Sequence, residues 1–189
     1  MDDQHPIFEL RKYRVADGRM QDEIERALSC IRPQEQGGLA LFARHAIPAP
    51  LGMWRAITGP SLPCVLFLYQ WPSVAARASA FESFYADAEW QRERARTNGG
   101  QEIVDRMDDL LYIGASPKPM PADRIYEFEL SPSDRASDDL VAFLKPLCGN
   151  DPRHLAIRAY ASLSDALNRN TESPAPRLLC APIATGASS

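Results

Sequence analysis

Three polar side chains near the N-terminus have the types and spacing of a ligand-binding strand. Glu9, Arg11 and Tyr13 alternate with the apolar residues Phe8 and Leu10. This period of two predicts a β-strand with one polar and one apolar face. A guanidinium can hold a carboxylate or an enolate, and a phenol can donate a hydrogen bond to the same oxygen. Arg11 and Tyr13 are therefore the first candidates for a catalytic role.

The side of the sheet on which the polar face of this strand lies determines which residues contact Arg11. If Phe8 and Leu10 pack against helices, we expect the polar face to point into the interior of a barrel. Buried charges need partners, and the second half of the chain offers Glu127 and Glu129 on a similar alternating strand. An ion pair between Arg11 and one of these glutamates is the structural alternative to substrate binding.

The chain has three histidines, and histidine is the usual general base near neutral pH. His5 lies in a polar terminus, where we expect it to be solvated. His45 follows Arg44 at the end of a short predicted helix and is a candidate catalytic residue, although a structural role through the helix dipole is an equal alternative. His154 opens a strand in the second half and is a candidate for substrate binding.

Three aromatic residues on two predicted strands are candidates for stacking on a flat substrate: Trp54, Tyr69 and Trp71. Aromatic side chains at strand spacing usually belong to a core. Pockets for flat ligands are nevertheless built from the same residues with a few polar groups for orientation. We therefore assign these three to substrate binding as a hypothesis.

Motifs for nucleotides and metals are missing from the sequence. There is no glycine-rich phosphate loop, no GxSxG and no clustered carboxylate–histidine set, and the four cysteines are far apart. The sequence thus predicts no cofactor and no metal site, and it predicts reduced, buried cysteines. A haem would need an axial histidine in an apolar pocket, and no local motif points to one.

Composition narrows the class of protein and its partners. The 189 residues are 45% hydrophobic and 24% charged, as is typical of a globular protein, and the net charge of -4 argues against a nucleic-acid partner. The sequence contains no run of about 18 apolar residues, so it predicts no membrane span. The polar, acidic start is unlike a signal peptide, so we expect a cytoplasmic protein.

Periodicity predicts the elements of the first half. An apolar stripe from Met20 to Ile31 predicts a helix. Strands are predicted over 51–57 and 64–71, a helix follows the N-cap residue Ser73, and a strand covers 107–113. With the N-terminal strand, the order is β-α-β-β-α-β.

The second half looks like a shortened copy of the first. A proline-rich linker (117–123) separates residues 1–116 from residues 124–184, and the tail 185–189 is expected to be disordered. The elements predicted after the linker are a strand over 125–130, a helix over 133–147, and strands over 154–160 and 178–183. The copy is too short for all six elements, so at least one is missing.

The predicted fold class is α+β. A ferredoxin-like β-α-β-β-α-β unit forms an antiparallel sheet with helices on one face, and the bare face needs a cover. The covering sheet comes from the shortened second unit, from another subunit, or from both. Two such sheets packed face to face make an α+β barrel, which we expect to leave a hollow for an aromatic guest.

Several motifs occur in the order seen in one known family: Glu9-Leu10-Arg11-Lys12-Tyr13, Leu51-Gly52-Met53-Trp54, Gly59, Tyr69-Gln70-Trp71-Pro72-Ser73, Arg77, Asp87-Ala88-Glu89-Trp90 and Met107. Through them the chain resembles the NIPSNAP family over residues 7–114. The resemblance implies the dimeric α+β barrel superfamily and a homodimer. The family's Asn and His near the third strand are matched here by Pro63 and Phe67, so chemistry that depends on them does not carry over.

The superfamily that this resemblance implies includes cofactor-free monooxygenases, cyclases and isomerases. The leading hypothesis is a small cofactor-independent enzyme of specialised metabolism that acts on a flat enolisable or phenolic small molecule. The alternative is a non-catalytic barrel that binds a small molecule or a protein. A haem protein is the third hypothesis.

Overall fold

The computed structural model describes residues 6–33, 38–131, 139–148, 153–169 and 177–185. The first half contains β1 (Ile7–Val15), α1 (Met20–Ile31), α2 (Leu41–Arg44), β2 (Gly52–Thr58), β3 (Cys64–Trp71), α3 (Val74–Tyr85), α4 (Ala88–Asn98) and β4 (Val104–Ile113). The second half contains β5 (Ile125–Ser131), β6 (Leu140–Cys148), β7 (His154–Tyr160), α5 (Leu163–Asn168) and β8 (Arg177–Pro182).

Three of the described helices, α3, α4 and α5, begin at residues whose side chains cap them. The Ser73 hydroxyl accepts a hydrogen bond from the amide of Ala76 at 3.0 Å at the start of α3. The Asp87 carboxylate accepts the amides of Glu89 and Trp90 at the start of α4. These contacts satisfy amides that have no partner within the helix, and they confirm the cap predicted at Ser73.

All eight strands join in one closed antiparallel barrel with the order β1-β3-β2-β8-β5-β7-β6-β4. The first half contributes the neighbouring strands β4-β1-β3-β2, and the second half contributes β8-β5-β7-β6. The seams are the pairs β2–β8 and β4–β6. The barrel therefore closes within a single chain, and the sheet that covers the first half is the second half of the same molecule.

The barrel interior is an apolar core. Phe8 and Leu10 lie in it, and the Trp54 ring packs edge-on against Phe128 and Tyr126 with centroid distances of 5.0 and 5.6 Å. The condition under which Arg11 would face the interior is not met, because the apolar face of β1 points into the barrel and its polar face points towards the helices. The interior that was expected to be hollow holds these buried side chains.

A second core lies between the outer face of the first-half strands and the helices α1 to α4. It contains Phe67, Tyr69 and Trp71 from β3 together with Phe81 and Phe84 from α3. The two cores follow from the period of two along each strand, because successive side chains point to opposite faces. Among the described helices, the longest have 12 residues, and none is long and apolar enough to cross a membrane.

The helix predicted over 133–147 is wrong for residues 140–147, which belong to strand β6; residues 132–138 lie outside the described part of the chain. The spacing of Leu140, Phe143, Leu144 and Leu147 matches a helix face, but β6 hydrogen-bonds to β7 and β4 and buries Ala142 and Leu144 in the barrel. Pairing on both edges closes the barrel, and this tertiary demand overrides the local pattern.

Candidate functional site

A cavity of about 330 Å³ lies outside the barrel, between the outer face of β1, β3 and β4 and the helices above them. Eight of its 19 lining residues are aromatic: Tyr13, Phe42, Phe67, Tyr69, Phe81, Phe84, Tyr85 and Trp90. The polar part of the wall is formed by residues including Arg11, Glu23 and Arg26. Ligand sites in proteins commonly combine an apolar wall with a few convergent polar groups, so this cavity is the candidate site.

Arg11 is almost fully buried in the cavity floor, with 3% of its side chain exposed. Strand register places it opposite Asp109 of β4, and its Nε donates to Asp109 Oδ1 at 3.0 Å. Its Nη2 donates to the hydroxyl of Tyr85 at 3.1 Å. The guanidinium carbon also lies 4.1 Å from the centre of the Phe81 ring, so Arg11 is a cation held rigidly at an aromatic wall.

The fully buried carboxylate of Glu9 contacts the guanidinium of Arg11. Glu9 Oε1 lies 3.5 Å from Arg11 Nε and accepts a hydrogen bond from Arg77 Nη2 at 2.5 Å, while Glu9 Oε2 accepts the indole N–H of Trp71 at 2.8 Å. Burial alone lowers the pKa of Arg11, but neighbouring groups, including the carboxylates of Asp109 and Glu9, raise it above its ordinary value. Arg11 therefore stays positively charged.

Two phenols in the cavity wall have hydroxyls available to a ligand. Within the described ranges, neither the Tyr13 nor the Tyr69 hydroxyl has a hydrogen-bond partner. Burial raises the pKa of both phenols well above the ordinary value, so both keep their protons. Each can donate a hydrogen bond to an oxygen of a bound molecule, next to the charge of Arg11.

A buried ion pair on α1 completes the wall. Glu23 is 2% exposed, and its Oε2 accepts a hydrogen bond from Arg26 Nη2 at 2.5 Å. Arg26 also donates to Asn98 Oδ1 at 3.0 Å. Burial raises the pKa of Glu23 to about 7, against the opposing effect of Arg26.

Glu23 is not among the site residues predicted from the sequence, although a signal was present. The residue lies three positions after Met20 and four before Ala27, on the apolar side of the predicted helix. A carboxylate at such a position is buried when the helix packs, and buried carboxylates are rare unless paired or functional.

The structure brings three of the predicted site residues together. Arg11, Tyr13 and Tyr69 all line the cavity. Trp71 belongs to the core between the sheet and the helices, where its indole N–H donates a hydrogen bond to Glu9. Trp54 lies in the barrel interior, on the other face of the sheet. The functional roles of all of these residues stay predictions.

The two candidate histidines lie away from the cavity lining. His45 Nε2 lies 2.9 Å from Asp87 Oδ2, and its Nδ1 lies 2.7 Å from the Ser83 hydroxyl. His154 belongs to the second half, where its ring stacks on Phe143 at a centroid distance of 5.0 Å. Its Nδ1 is buried and makes no hydrogen bond within the described ranges.

The ion pair expected between Arg11 and Glu127 or Glu129 is wrong. Because the polar face of β1 points outwards, Arg11 and the two glutamates lie on opposite sides of the barrel. Glu129 Oε2 pairs with Arg158 Nη1 at 2.8 Å. Glu127 Oε2 lies 3.3 Å from Arg177 Nη1, and its Oε1 contacts Arg169.

No cluster of His, Cys, Asp and Glu suited to a metal ion occurs in the ranges that the structure describes. Among these residues Cys30, Cys64 and Cys180 are free and buried. Burial raises the pKa of the Cys30 thiol to about 12. Cys30 is therefore a neutral part of the cavity wall.

Comparisons with known proteins place this fold. A NIPSNAP domain protein from Burkholderia xenovorans, described as uncharacterized, is 20% identical, with 58% of this chain and 95% of that one covered and a TM-score of 0.44. A Fusobacterium nucleatum protein, provisionally named a monooxygenase, is 8% identical, with 95% and 93% covered and a TM-score of 0.52. No curated protein matches. The NIPSNAP family model matches residues 8–117, more than half of the chain, and the protein therefore belongs to the NIPSNAP family.

Proposed function

We propose that the cavity binds a small, flat molecule with an enolisable or phenolic oxygen and that the protein acts on it without a cofactor. The observation that carries this proposal is the set of three donors in one aromatic cavity: the buried cation Arg11 and the unpartnered hydroxyls of Tyr13 and Tyr69. Donors fixed before the ligand arrives stabilise a developing oxyanion without reorganisation.

Size and burial support a small substrate. A volume of about 330 Å³ lies at the lower end of ligand pockets, about 300–1,000 Å³, which suits one or two fused rings. Aromatic walls exclude water and strengthen the attraction between Arg11 and an oxyanion. Enolate formation is the step that oxygenation, cyclisation and isomerisation share, so the proposal covers all three reactions.

The alternative function is binding without catalysis. One observation favours it: the candidate base His45 lies outside the cavity lining. The family resemblance points the same way, since it implies an Asn and a His at the positions of Pro63 and Phe67. A haem protein, the third hypothesis, fits less well, because the described cavity lining contains no histidine to serve as an axial ligand.

We also infer that each half of the barrel is a ferredoxin-like unit. The strand orders β4-β1-β3-β2 and β8-β5-β7-β6 support this, since each places the first and third strands of its half in the middle. Homodimer formation is likewise a proposal, and it is separate from barrel closure, which one chain achieves alone. Sedimentation equilibrium measures it directly.

Replacing the two phenols tests the proposed function. Wild type is titrated with 7-hydroxycoumarin and the quenching of Trp90, which lines the cavity, is followed. The double variant Tyr13→Phe, Tyr69→Phe should bind the coumarin anion at least roughly 100-fold more weakly, since each of the two lost hydrogen bonds to a charged group contributes about 1.5–3 kcal/mol. The unliganded fold should be unaffected, because neither hydroxyl has a partner in the described ranges to lose.

The matched control is Tyr160→Phe, on β7 of the second half, which should bind the probe as wild type does. Equal affinity of wild type and the double variant would contradict the proposed site. If the site is confirmed, incubation with oxygen and analysis of the products by mass spectrometry separates an enzyme from a binding protein.

A further inference from the structure

Glu23 is the one carboxylate of the described cavity lining that is buried to this degree and still has a free oxygen. Its Oε2 is held by Arg26. Its other oxygen makes no hydrogen bond to any residue in the described ranges. The side chain lines the same cavity as the phenols, and its charge is among those that act on Tyr13.

Charge balance limits what the cavity can accept. Arg11 and Arg77 share the carboxylates of Glu9 and Asp109, and Arg26 and Arg94 share those of Glu23 and Glu102, so that two cations face two anions in each set. A ligand anion added to these balanced sets would be a further charge without compensation, which is costly where it is buried. The cost disappears if one existing negative charge is neutralised by a proton when the anion forms or enters.

We propose that Glu23 is the proton-accepting group of the cavity and takes the proton of the ligand's hydroxyl or enolisable C–H group. This inference rests on the proposed function and names the base that the histidines do not provide. The ligand's O–H or C–H bond breaks, its electron pair stays on the ligand as an oxyanion, and the proton forms a new O–H bond on Glu23. The total charge of the cavity is unchanged, and no oxidant or other co-reactant is needed.

The surroundings of Glu23 support this exchange. The charged and titratable groups around it in the cavity lining are Arg26 and Cys30 on α1, Arg11 and Tyr13 on β1, Tyr69 on β3, Tyr85 on α3, Arg94 on α4, Glu102 before β4, and Asp105 and Arg106 on β4. Burial and Glu102 raise the pKa of Glu23, whereas Arg26 and Arg11 lower it, with a result of about 7. A base with a pKa near neutrality accepts and returns a proton efficiently.

Proton uptake on binding tests the inference. At about pH 8.5 the free 7-hydroxycoumarin is mainly the anion and Glu23 is charged. Isothermal titration calorimetry in buffers of different ionisation enthalpy counts the protons taken up, and absorbance shows the form of the bound probe. Wild type should bind the anion and take up about one proton, as the rise in the pKa of Glu23 beside a second buried anion requires.

Two variants assign the proton. Glu23→Gln should bind the anion with no proton uptake. Glu25→Gln, at an exposed site on the same helix, should behave as wild type does. Uptake that persists in Glu23→Gln would overturn the inference, and so would a bound probe in its neutral form.

Wild type alone also decides the matter if Glu23→Gln does not fold, because binding of the anion without proton uptake contradicts a proton-accepting Glu23. Failure of the proposed function gives a different result. In that case wild type and Glu25→Gln show no binding of the coumarin at all, by calorimetry or by Trp90 quenching.

Discussion

The two halves of the barrel carry the same strand order but use their outer faces differently. On β1, Glu9 and Arg11 lie two residues apart under four helices, which leave a cavity above Arg11. On β5, Glu127 and Glu129 lie two residues apart, and in the described ranges only α5 packs on this side. Arg11 of the first half thus corresponds in position to Glu129 of the second half.

The charge partners show what this difference means. In the first half the buried carboxylate serves to hold a buried cation at a cavity. In the second half two buried carboxylates are neutralised by three arginines that reach partly into solvent, namely Arg158, Arg169 and Arg177, with 11%, 26% and 32% of their side chains exposed. One scaffold therefore leaves a cavity beside a buried cation in one half and holds a self-neutralised ion cluster in the other.

The largest expected effect is the difference in unfolding free energy between variants of two buried carboxylates, Glu9 and Glu127. Glu9→Ala removes the fully buried one of the two carboxylates that contact Arg11, and it leaves the indole N–H of Trp71 without an acceptor. Breaking a buried pair in this way costs about 3–5 kcal/mol of unfolding free energy. Glu127→Ala should cost less, about 1–3 kcal/mol, because its arginine partners can turn to water. Urea unfolding of both variants measures the two costs, and equal costs would contradict the distinction.

An intermediate effect concerns the pH dependence of stability in the first half. Because the folded-state pKa of Glu23 is raised from 4.5 to about 7, the folded protein binds more protons than the unfolded chain between these values. The contribution of Glu23 to the unfolding free energy therefore falls as pH rises from about 4.5 to about 7, by up to about 3 kcal/mol. Urea midpoints across this range should show a slope that Glu23→Gln reduces and that Glu25→Gln leaves intact.

The smallest effect compares single hydroxyls. Tyr13→Phe removes a hydroxyl without a partner in the described ranges and should change the unfolding free energy by less than about 0.5 kcal/mol. Tyr160→Phe removes the acceptor of a 3.4 Å contact from Arg169 and should cost about 0.5–1 kcal/mol. Thermal unfolding of the pair resolves the difference. A Tyr13 variant that is clearly less stable would show that its hydroxyl has a structural partner.

Several local features were predictable because they depend on neighbours in sequence. The stripe from Met20 to Ile31 predicts α1, and the hydroxyl of Ser73 predicts the start of α3. The alternating pattern of β1 also placed Arg11 and Tyr13 on one face, where the structure has them. These predictions need only the period of an element and the hydrogen bonds of its ends.

Other features depend on contacts between distant residues and were missed. Nothing in the alternation of β1 says which face meets the helices, so its orientation stayed conditional. Residues 140–147 satisfy a helix pattern and become a strand only because β4 and β7 pair with them. The partner of Arg11 is Asp109, 98 residues away, because the register of β1 and β4 sets them opposite each other.

By itself, then, the amino-acid sequence determined the family, the α+β class, most elements of the first half and the polar face that carries Arg11 and Tyr13. Tertiary structure alone decided that the candidate cavity lies under the helices and not inside the barrel, and that Glu23 lines it. The physical reason is that local periodicity defines the two faces of each strand, whereas burial of one face against helices or against a second sheet depends on how the whole chain closes.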